Sequence, residues 1–330
     1  MIPEAKQSLV RHALQKTFGA SNYEEIKQLT AGLSTALIYC IEVKGKPYLL
    51  RIITSEHTMH DPTHWFAWMN AGAEAGLAPR VHYMSIVDRI CITDFIEAKP
   101  FTFSKARVQL PQLISNLHKL PPFPNRVKYL DVADGWVKKF QAAKTLPESI
   151  TDEIFKQYNR VFAIYPRNTD DMFSSHNDLK PENIVFDGVR PWLVDWEAAF
   201  LNDRYHDLAV VANFVVMNEN DEVEFLYNYF GKEANEYQHA RFFLMRQLLH
   251  IYYLVMFMSI VASKGKCIDP EEARPDFRDF HNRMWAGEIS LVGEDAKLEY
   301  AWIHLQQFLR NIQTDRFEDA MRTVSEYHIK

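Results

Sequence analysis

The stretch "SSHNDLKPENIVFDG" (Ser174–Gly188), followed seven residues later by "DWEAAF", decides the fold of this chain. Its first half carries four side chains that can act in acid–base or ligand chemistry: His176, Asp178, Lys180 and Asn183. Its second half is apolar, and "NIVF" and "PWLVDW" predict two short strands joined by a turn at Asp187-Gly188. A hairpin of this kind would return Asp195 to the neighbourhood of Asn183.

This combination of side chains is the one that phosphoryl transfer to an alcohol needs. The reaction needs a carboxylate to accept or orient the hydroxyl proton, oxygen ligands for magnesium, and positive charge near the transferred group. We predict Asp178 as the base, Lys180 near the phosphate, and Asn183 and Asp195 as magnesium ligands. The spacing His-x-Asp-x-x-x-x-Asn matches the kinase catalytic loop. Turn capping by Asp178 and Asn183 is the less favoured alternative, because it leaves Asp195 unexplained.

The segments "HNDLKPENIVFDG" and "LVDWEAAFLNDRYHDLA" resemble the aminoglycoside phosphotransferase and choline kinase family, most closely its choline, ethanolamine and thiamine kinase branch. The resemblance covers most of the chain and implies a protein-kinase-like fold. It implies the same roles for the base and the two metal ligands. It also implies that His176 braces the loop, as a structural residue, and that Asp207 buttresses it. A protein kinase is disfavoured, because Trp196-Glu197 follows Asp195 and no Ala-Pro-Glu segment or activation loop is present.

The pattern along the chain predicts an α+β, bilobal, protein-kinase-like fold. We place a β-rich nucleotide-binding lobe at residues 1–96, with a helix at 3–18, a small antiparallel sheet and a hairpin turn near Lys44–Pro47. A helix should begin at Asp61-Pro62 and end near Gly76. Residues 97–330 should form a mainly helical lobe with the catalytic loop and the acceptor pocket. Its predicted helices include 140–163, 205–217, 237–262 and 298–312.

Three segments are candidates for nucleotide binding. In "TAGLSTALIYCI", the backbone around Gly32 and the hydroxyls of Ser34 and Thr35 would cradle phosphates, although an ordinary turn remains an alternative. Arg51 in "YLLRI" is a phosphate partner by resemblance, or else a solvated strand residue. The segment "ITDFIEAKPF" matches the hinge, where adenine would bond to the backbone around three residues: Asp94, Ile96 and Glu97.

One position departs from the family pattern. By resemblance, a helix glutamate pairs with the basic residue of the strand, here Arg51. Counting back from Pro79 places Trp65, not glutamate, at this position. Either another carboxylate takes its place or Arg51 is held differently.

The acceptor pocket is predicted in the helical lobe. In the choline kinase branch, carboxylates and aromatic rings hold a cationic substrate, partly through cation–π contacts. The candidates are Glu197, Trp196, Tyr252, Tyr253 and Trp302. Each aromatic ring has packing in the core as its alternative, because the helical spacing is typical of core residues. Glu197 is the strongest candidate because it lies two residues after Asp195.

Composition limits the remaining function classes. The chain has 330 residues and a net charge of −6 without charge blocks, which gives no support for nucleic-acid binding. Three dispersed cysteines and an N-terminus without a signal-like apolar region favour the cytoplasm. The apolar stretch Phe242–Ala262 is interrupted by Arg246, Gln247 and His250, so we expect a buried core helix and no membrane association.

The leading hypothesis is an ATP- and magnesium-dependent kinase of a small, cationic alcohol such as choline, ethanolamine or thiamine. An aminoglycoside kinase is the alternative within the same class. A nucleotide-binding pseudokinase or regulatory protein is the alternative of another class, supported by Trp65 and opposed by Asp178, Asn183 and Asp195. A non-catalytic helical scaffold would have no use for these residues.

Overall fold

The computed structural model describes residues 2–29, 36–55, 61–167, 171–264 and 275–327. Contacts within the chain group it into two units, Met1–Phe101 with Glu182–Ala199, and Thr102–Pro181 with Phe200–Lys330. This grouping differs from a division at residue 96 because it assigns residues 182–199 to the first unit.

The described residues form these elements in chain order: α1 (Glu4–Phe18), β1 (Glu25–Leu29), β2 (Leu37–Val43), β3 (Lys46–Ile52), α2 (Phe66–Glu74), β4 (Val81–Ser85), β5 (Ile90–Asp94), α3 (Phe103–Leu117), α4 (Tyr129–Ala143), α5 (Glu148–Ile164), β6 (Met172–Ser175), β7 (Ile184–Phe186), β8 (Pro191–Leu193), β9 (Phe200–Asp203), α6 (Arg204–Val215), α7 (Glu219–Phe230), α8 (Glu236–Ala262), α9 (Phe277–Trp285), α10 (Glu294–Asn311) and α11 (Asp315–Tyr327).

The first unit is built on a five-stranded antiparallel sheet in the order β1-β2-β3-β5-β4. Tyr39 pairs with Leu50, and Leu50 with Ile92, so that buried residues of three strands align across the sheet. Helix α1 buries Val10 and Leu14 in the same core. In β2, buried positions alternate with half-buried ones, as the two-residue period of a strand predicts.

The turn between β2 and β3 lies where the sequence predicts it. Lys44 and Gly45 both adopt positive φ, 54° and 69°, as the tightest hairpin turns require. The carboxylate of Glu24 accepts hydrogen bonds from both backbone N–H groups, at 2.7 and 3.1 Å.

The helix predicted to begin at Asp61-Pro62 forms as two pieces. Asp61 caps a short 3-10 helix, Pro62–His64, by accepting a hydrogen bond from the Thr63 N–H at 2.9 Å. Trp65 then has φ −137°, which is not helical, and α2 starts only at Phe66. The N-terminal signals are correct, but a single continuous helix is the wrong prediction.

The hairpin β7–β8 confirms the two short strands predicted from the opening motif. Ile184 pairs with Leu193, and Gly188 adopts φ 99° in the connecting turn. The backbone N–H of Lys99 bonds to the Phe186 carbonyl at 2.7 Å, and Phe101 stacks on Phe186 with ring centroids 4.2 Å apart. These contacts attach the hairpin to the segment that follows β5.

The second unit is mainly helical, with α8 at its centre, packed against α4, α5, α6, α10 and α11. Among the described residues, α8 is the helix that is long and apolar enough to cross a membrane, and 67% of its apolar window is buried inside the protein. Burial of this stretch agrees with the core helix expected from sequence. The strand pair β6–β9 brings Ser175 opposite Phe200.

The helix predicted over residues 140–163 is wrong in its boundaries. Two helices, α4 and α5, cover this region, and the chain leaves α4 at Lys144, which adopts φ 48°. Pro147 then precedes α5. A proline lacks the N–H that a continuous helix would need at this point.

Candidate active site

The loop that contains Asp178 is held by the buried carboxylate of Asp207. The backbone N–H of His176 donates to Asp207 Oδ2 at 2.9 Å, and that of Asn177 donates to Oδ1 at 2.8 Å. Asp207 lies in the first turn of α6 and has no exposed surface. Each carboxylate oxygen therefore fixes one of two successive peptide groups, just before the predicted base. His176 is also fully buried, which agrees with a bracing role.

Two histidines surround Asp207, and neither was singled out from the sequence. His118 Nε2 lies 3.4 Å from Asp207 Oδ2, and its Nδ1 lies 2.7 Å from the Tyr229 hydroxyl. His206 Nδ1 lies 3.9 Å from Oδ1. Burial alone would raise the pKa of Asp207, but the hydrogen bond with His118 and the charges of both histidines hold this pKa well below its usual range. His206 was visible in "RYHDLA", whereas nothing local marked His118.

Asn177 gives the loop its shape. It adopts φ 65°, a left-handed conformation that asparagine tolerates better than most residues. Its side-chain amide donates to the Phe200 carbonyl at 3.2 Å, and its oxygen accepts a hydrogen bond from Asn202 at 2.8 Å. The backbone reverses immediately before Asp178, and β9 fixes that reversal.

The second unit brings Asp178, Lys180 and Tyr252 into one neighbourhood. Lys180 Nζ lies 2.8 Å from Asp178 Oδ2, and both side chains are partly exposed. Burial first, and then the charge of Asp178, raise the pKa of the half-buried Tyr252. Tyr253 packs against Tyr300, with ring centroids 5.4 Å apart, and the charge of Asp178 also contributes to its raised pKa, after burial and the neighbouring tyrosines.

Trp302 lies half-buried on α10. Its acceptor role stays a prediction from the sequence.

Asn183 and Asp195 flank the hairpin of the first unit. Asn183 ends the turn before β7 and is 4% exposed. Its carbonyl accepts a hydrogen bond from the Val194 N–H at 3.0 Å, which extends the ladder by one pair. Asp195 follows β8 and adopts φ 64°. The hairpin therefore places the two predicted metal ligands at one end of the same ladder.

Arg51 on β3 contacts two carboxylates from this hairpin. Its Nη2 donates to Asp195 Oδ1 at 3.0 Å and also to Glu197 Oε1. The guanidinium lies 5.0 Å from the centre of the Trp65 ring, a cation–π distance. Burial alone would lower the pKa of Arg51, but the charges of Asp195 and Glu197 raise it above its usual value.

These contacts show how Arg51 is held although Trp65, and not a glutamate, occupies the expected helix position. The indole of Trp65 lies against Arg51, and Glu197 from the hairpin supplies the carboxylate. Glu197, a predicted acceptor ligand, is thus engaged by Arg51 in this structure. Sequence reasoning could not find this pairing, because Arg51 and Glu197 lie far apart in the chain.

Trp196 occupies the core of the first unit. It is 1% exposed, and its indole N–H donates to the Leu193 carbonyl at 3.2 Å. A Cβ added at Gly72 of α2 would lie 2.6 Å from two carbons of this indole. The placement fits core packing, which was the alternative reading of this tryptophan.

The remaining nucleotide candidates give less information. Gly32, Ser34 and Thr35 lie outside the described residues. Asp94 ends β5, and its carboxylate lies 2.6 Å from His82 Nε2. Glu97 is exposed, and its Oε2 lies 2.8 Å from Lys99 Nζ. Ile96 is half-buried. A hinge that binds adenine through backbone groups makes no special demand on these side chains.

The donor set fits magnesium better than a metal held by protein ligands alone. Asn183 and Asp195 offer hard oxygen atoms, as Mg²⁺ prefers. Among the residues that the structure describes, no group of three or more His, Cys, Asp or Glu side chains is arranged to hold a metal. Magnesium usually takes one or two protein ligands and completes its shell with phosphates and water, and these two side chains supply that number.

The antiparallel sheet, the mainly helical second unit and the loop with its hairpin together define a kinase-like fold. The chain belongs to the phosphotransferase enzyme family (APH), whose model matches residues 25–243.

Three relatives illustrate the likeness. Protein LicA of Haemophilus influenzae is 22% identical over 229 residues, which cover 64% of this chain and 82% of LicA. The crystal structure of a choline/ethanolamine kinase family protein from Mesorhizobium loti has a TM-score of 0.70 and 20% identity, covering 97% of this chain and 99% of that one. Spectinomycin phosphotransferase, solved in complex with ADP and spectinomycin, has a TM-score of 0.55 and 11% identity, covering 96% and 98%. At these identities the structural likeness establishes the fold, and family membership establishes a phosphotransferase enzyme.

Proposed function

We propose that this protein transfers the γ-phosphate of ATP, in a magnesium-dependent reaction, to the hydroxyl of a small cationic metabolite of the choline, ethanolamine or thiamine type. The observation that carries the proposal is the hairpin that aligns Asn183 and Asp195, with Arg51 bound to Asp195. These three polar side chains meet at one end of a short hairpin, where they offer the oxygen ligands and the positive charge that a magnesium–phosphate site needs. Family membership supports the same reaction class.

Asp178 is the proposed base. It accepts the proton of the acceptor hydroxyl as the hydroxyl oxygen forms its bond to the γ-phosphorus, and the bond from that phosphorus to the bridging oxygen breaks to release ADP. The loop is fixed for this role by the two N–H bonds to Asp207. Lys180, whose Nζ lies 2.8 Å from Asp178 Oδ2, offers positive charge for the transferred group.

Asn183 and Asp195 are the residues that would hold magnesium, and the bound ion would neutralise charge on the phosphates. Arg51 is proposed to keep Asp195 oriented and to donate to phosphate oxygens with the planar fork of its guanidinium. The 8% exposure of Arg51 keeps these charges away from bulk water, which strengthens their interaction.

Tyr252 is the strongest candidate for contact with the acceptor. It is an aromatic residue within the electrostatic reach of Asp178, and an aromatic ring binds a quaternary or primary ammonium through its face. The likeness to a choline/ethanolamine kinase family protein supports a cationic acceptor. Trp302 is a weaker candidate, and Glu197 is better explained by its ion pair with Arg51.

The test is turnover of ATP with a panel of hydroxyl compounds: choline, ethanolamine, thiamine, spectinomycin and an uncharged sugar alcohol. We expect one of the first three to give the highest kcat/KM. Asp178→Asn should lower kcat on that acceptor by about a hundredfold or more, because base catalysis and loop electrostatics are both lost. Asp152→Asn, an exposed residue on α5, is the matched control and should retain full activity.

Other outcomes distinguish the alternatives. Selective turnover of spectinomycin would replace the cationic metabolite with an antibiotic acceptor. Binding of ATP without turnover of any compound would favour a regulatory nucleotide-binding protein. Near wild-type turnover in Asp178→Asn would remove Asp178 as the base.

A further inference from the structure

A polar cavity of about 370 Å³ lies among the helices of the second unit, and none of the proposed catalytic or acceptor residues lines it. Its charged lining comes from α7, α8, α10, α11 and the start of α9: Arg246, Arg278, Arg310, Arg316, Glu219, Glu222 and Asp276. Four guanidinium groups thus meet three carboxylates. A protein with net charge −6 concentrates positive charge here.

Three of the arginines have clear internal partners. Arg278 donates to the carbonyls of Asn213, Phe214 and Val216 at 3.0, 3.1 and 2.8 Å, which satisfies the end of α6. Arg310 pairs with Asp276 at 3.2 Å. Arg316 donates to Glu222 Oε1, which also lies 3.2 Å from His239. Two of the three carboxylates, Glu222 and Asp276, are therefore already engaged.

Arg246 is different. Its side chain is 15% exposed, and its closest carboxylate oxygen, on Glu222, lies 3.9 Å from Nη1. Its buried Nε has no hydrogen-bond partner in the described structure. Burial lowers its pKa to about 10, and the charges of Arg278 and Arg316 add to this, against the opposing charge of Glu222. A buried guanidinium with so few acceptors is costly unless something else supplies them.

We propose that this cavity binds a small anion, specifically the phosphate group of a phosphate monoester. The guanidinium fork of Arg246 would be satisfied by phosphate oxygens, and Arg310 and Arg316 would contribute from the rim. The volume falls in the range of small-molecule sites, so the cavity has room for an organic group beyond the phosphate. Amide groups of Gln307 and Asn311 in the lining can contact that organic part. This site is independent of the proposed phosphotransfer.

The experiment uses the full chain and inorganic phosphate as the probe, with calorimetric titration and thermal unfolding at constant ionic strength against sodium chloride. Wild type should bind phosphate saturably and gain thermal stability. Arg310→Gln, at an exposed rim position that should not disturb folding, should weaken binding about tenfold. Arg246→Gln should weaken it at least as much. Asp276→Asn removes a competing carboxylate but keeps the cap of α9, and should tighten binding.

The control is Arg322→Gln, an exposed arginine on α11 that pairs with Asp319 and does not line the cavity. It should bind phosphate as wild type does. Equal responses to phosphate and chloride would overturn the proposal. So would unchanged phosphate affinity in Arg310→Gln and Asp276→Asn, since that pattern would place the bound phosphate elsewhere, such as near Arg51 or Lys180.

Discussion

Two carboxylates that matter for the proposed reaction, Asp207 and Asp195, are held in opposite ways. Asp207 is fully buried and takes its hydrogen bonds from two backbone N–H groups. Asp195 is 28% exposed at its side chain and pairs with the side chain of Arg51. Backbone donors cannot move away without unfolding the loop, whereas a guanidinium can exchange one anion for another. The first arrangement fixes geometry, and the second leaves a charge that a phosphate can share.

The largest effect should come from breaking the backbone-held carboxylate. Asp207→Ala leaves two buried N–H groups without an acceptor, so we expect the free energy of unfolding to fall by about 3–5 kcal/mol. Urea unfolding measures this directly. Asp207→Asn keeps one acceptor oxygen and should recover part of the loss. Asp319→Ala, exposed on α11, should change stability by less than about 0.5 kcal/mol. A loss below about 1 kcal/mol for Asp207→Ala would mean that the loop is held by other contacts.

The side-chain-held carboxylate should respond in activity more than in stability. Arg51→Lys keeps the charge but replaces a fork that reaches two carboxylates with a single ammonium. We expect kcat/KM to fall about 10- to 100-fold, while the midpoint of urea unfolding changes little. If stability falls as far as in Asp207→Ala, the contrast between the two carboxylates is not real.

Glu197→Gln sharpens the same contrast by separating two roles for one residue. If Glu197 positions Arg51, the KM for ATP should rise several-fold, because the variant weakens one charge-assisted hydrogen bond to Arg51. The KM for the acceptor should stay constant. A rise confined to the acceptor KM would instead make Glu197 an acceptor ligand.

The last prediction concerns pH, and it distinguishes the Asp207 network from other buried groups. Burial lowers the pKa of His250 and His304 well below 6.5, and that of His281 to about 3. Stability from such a group is complete above pH 6.5 and is lost as the pH falls toward the lowered value, at up to about 1.4 kcal/mol per pH unit and site. The stability that Asp207 contributes through its lowered pKa is complete above about pH 4 and is lost only as the pH falls below that value, outside this window.

The measurement is urea unfolding between pH 7 and pH 5. Wild type should lose stability in this window, and the double variant His250→Leu with His304→Leu should lose less per pH unit. The exposed His12→Leu serves as the control. Equal pH slopes in wild type and the double variant would assign the acid sensitivity to other groups.

The sequence predicted the elements with strong local signals. The turn residues Lys44-Gly45 and Asp187-Gly188 and the apolar runs that flank them were enough to identify both hairpins, because the turn residues and the strand pattern indicate the same structure. The hairpin also explains why Asn183 and Asp195 were correctly expected near each other. The prediction of one helix over residues 140–163 failed because it overlooked the break that Pro147 marks, and the left-handed conformation of Lys144 has no sequence signal of its own.

Sequence reasoning missed the contacts that only folding creates. His118 reaches Asp207 from α3, and Glu197 reaches Arg51 across the sheet and hairpin of the first unit. Patterns in a single sequence carry no information about such pairs, since the two residues lie in separate segments. Arg246 illustrates this as well, because from the sequence it was only an interruption of an apolar helix.

The close contact between Gly72 and Trp196 makes the residue allowed at one position depend on the residue at the other. Glycine is a poor helix residue, yet a methyl group at position 72 would collide with the indole. Trp196 is the residue directly after Asp195, so a shift of the indole would also move this predicted metal ligand. A larger residue at position 72 would therefore require a smaller one at position 196. Among relatives of this chain, the pair should vary together even where neither residue touches a substrate.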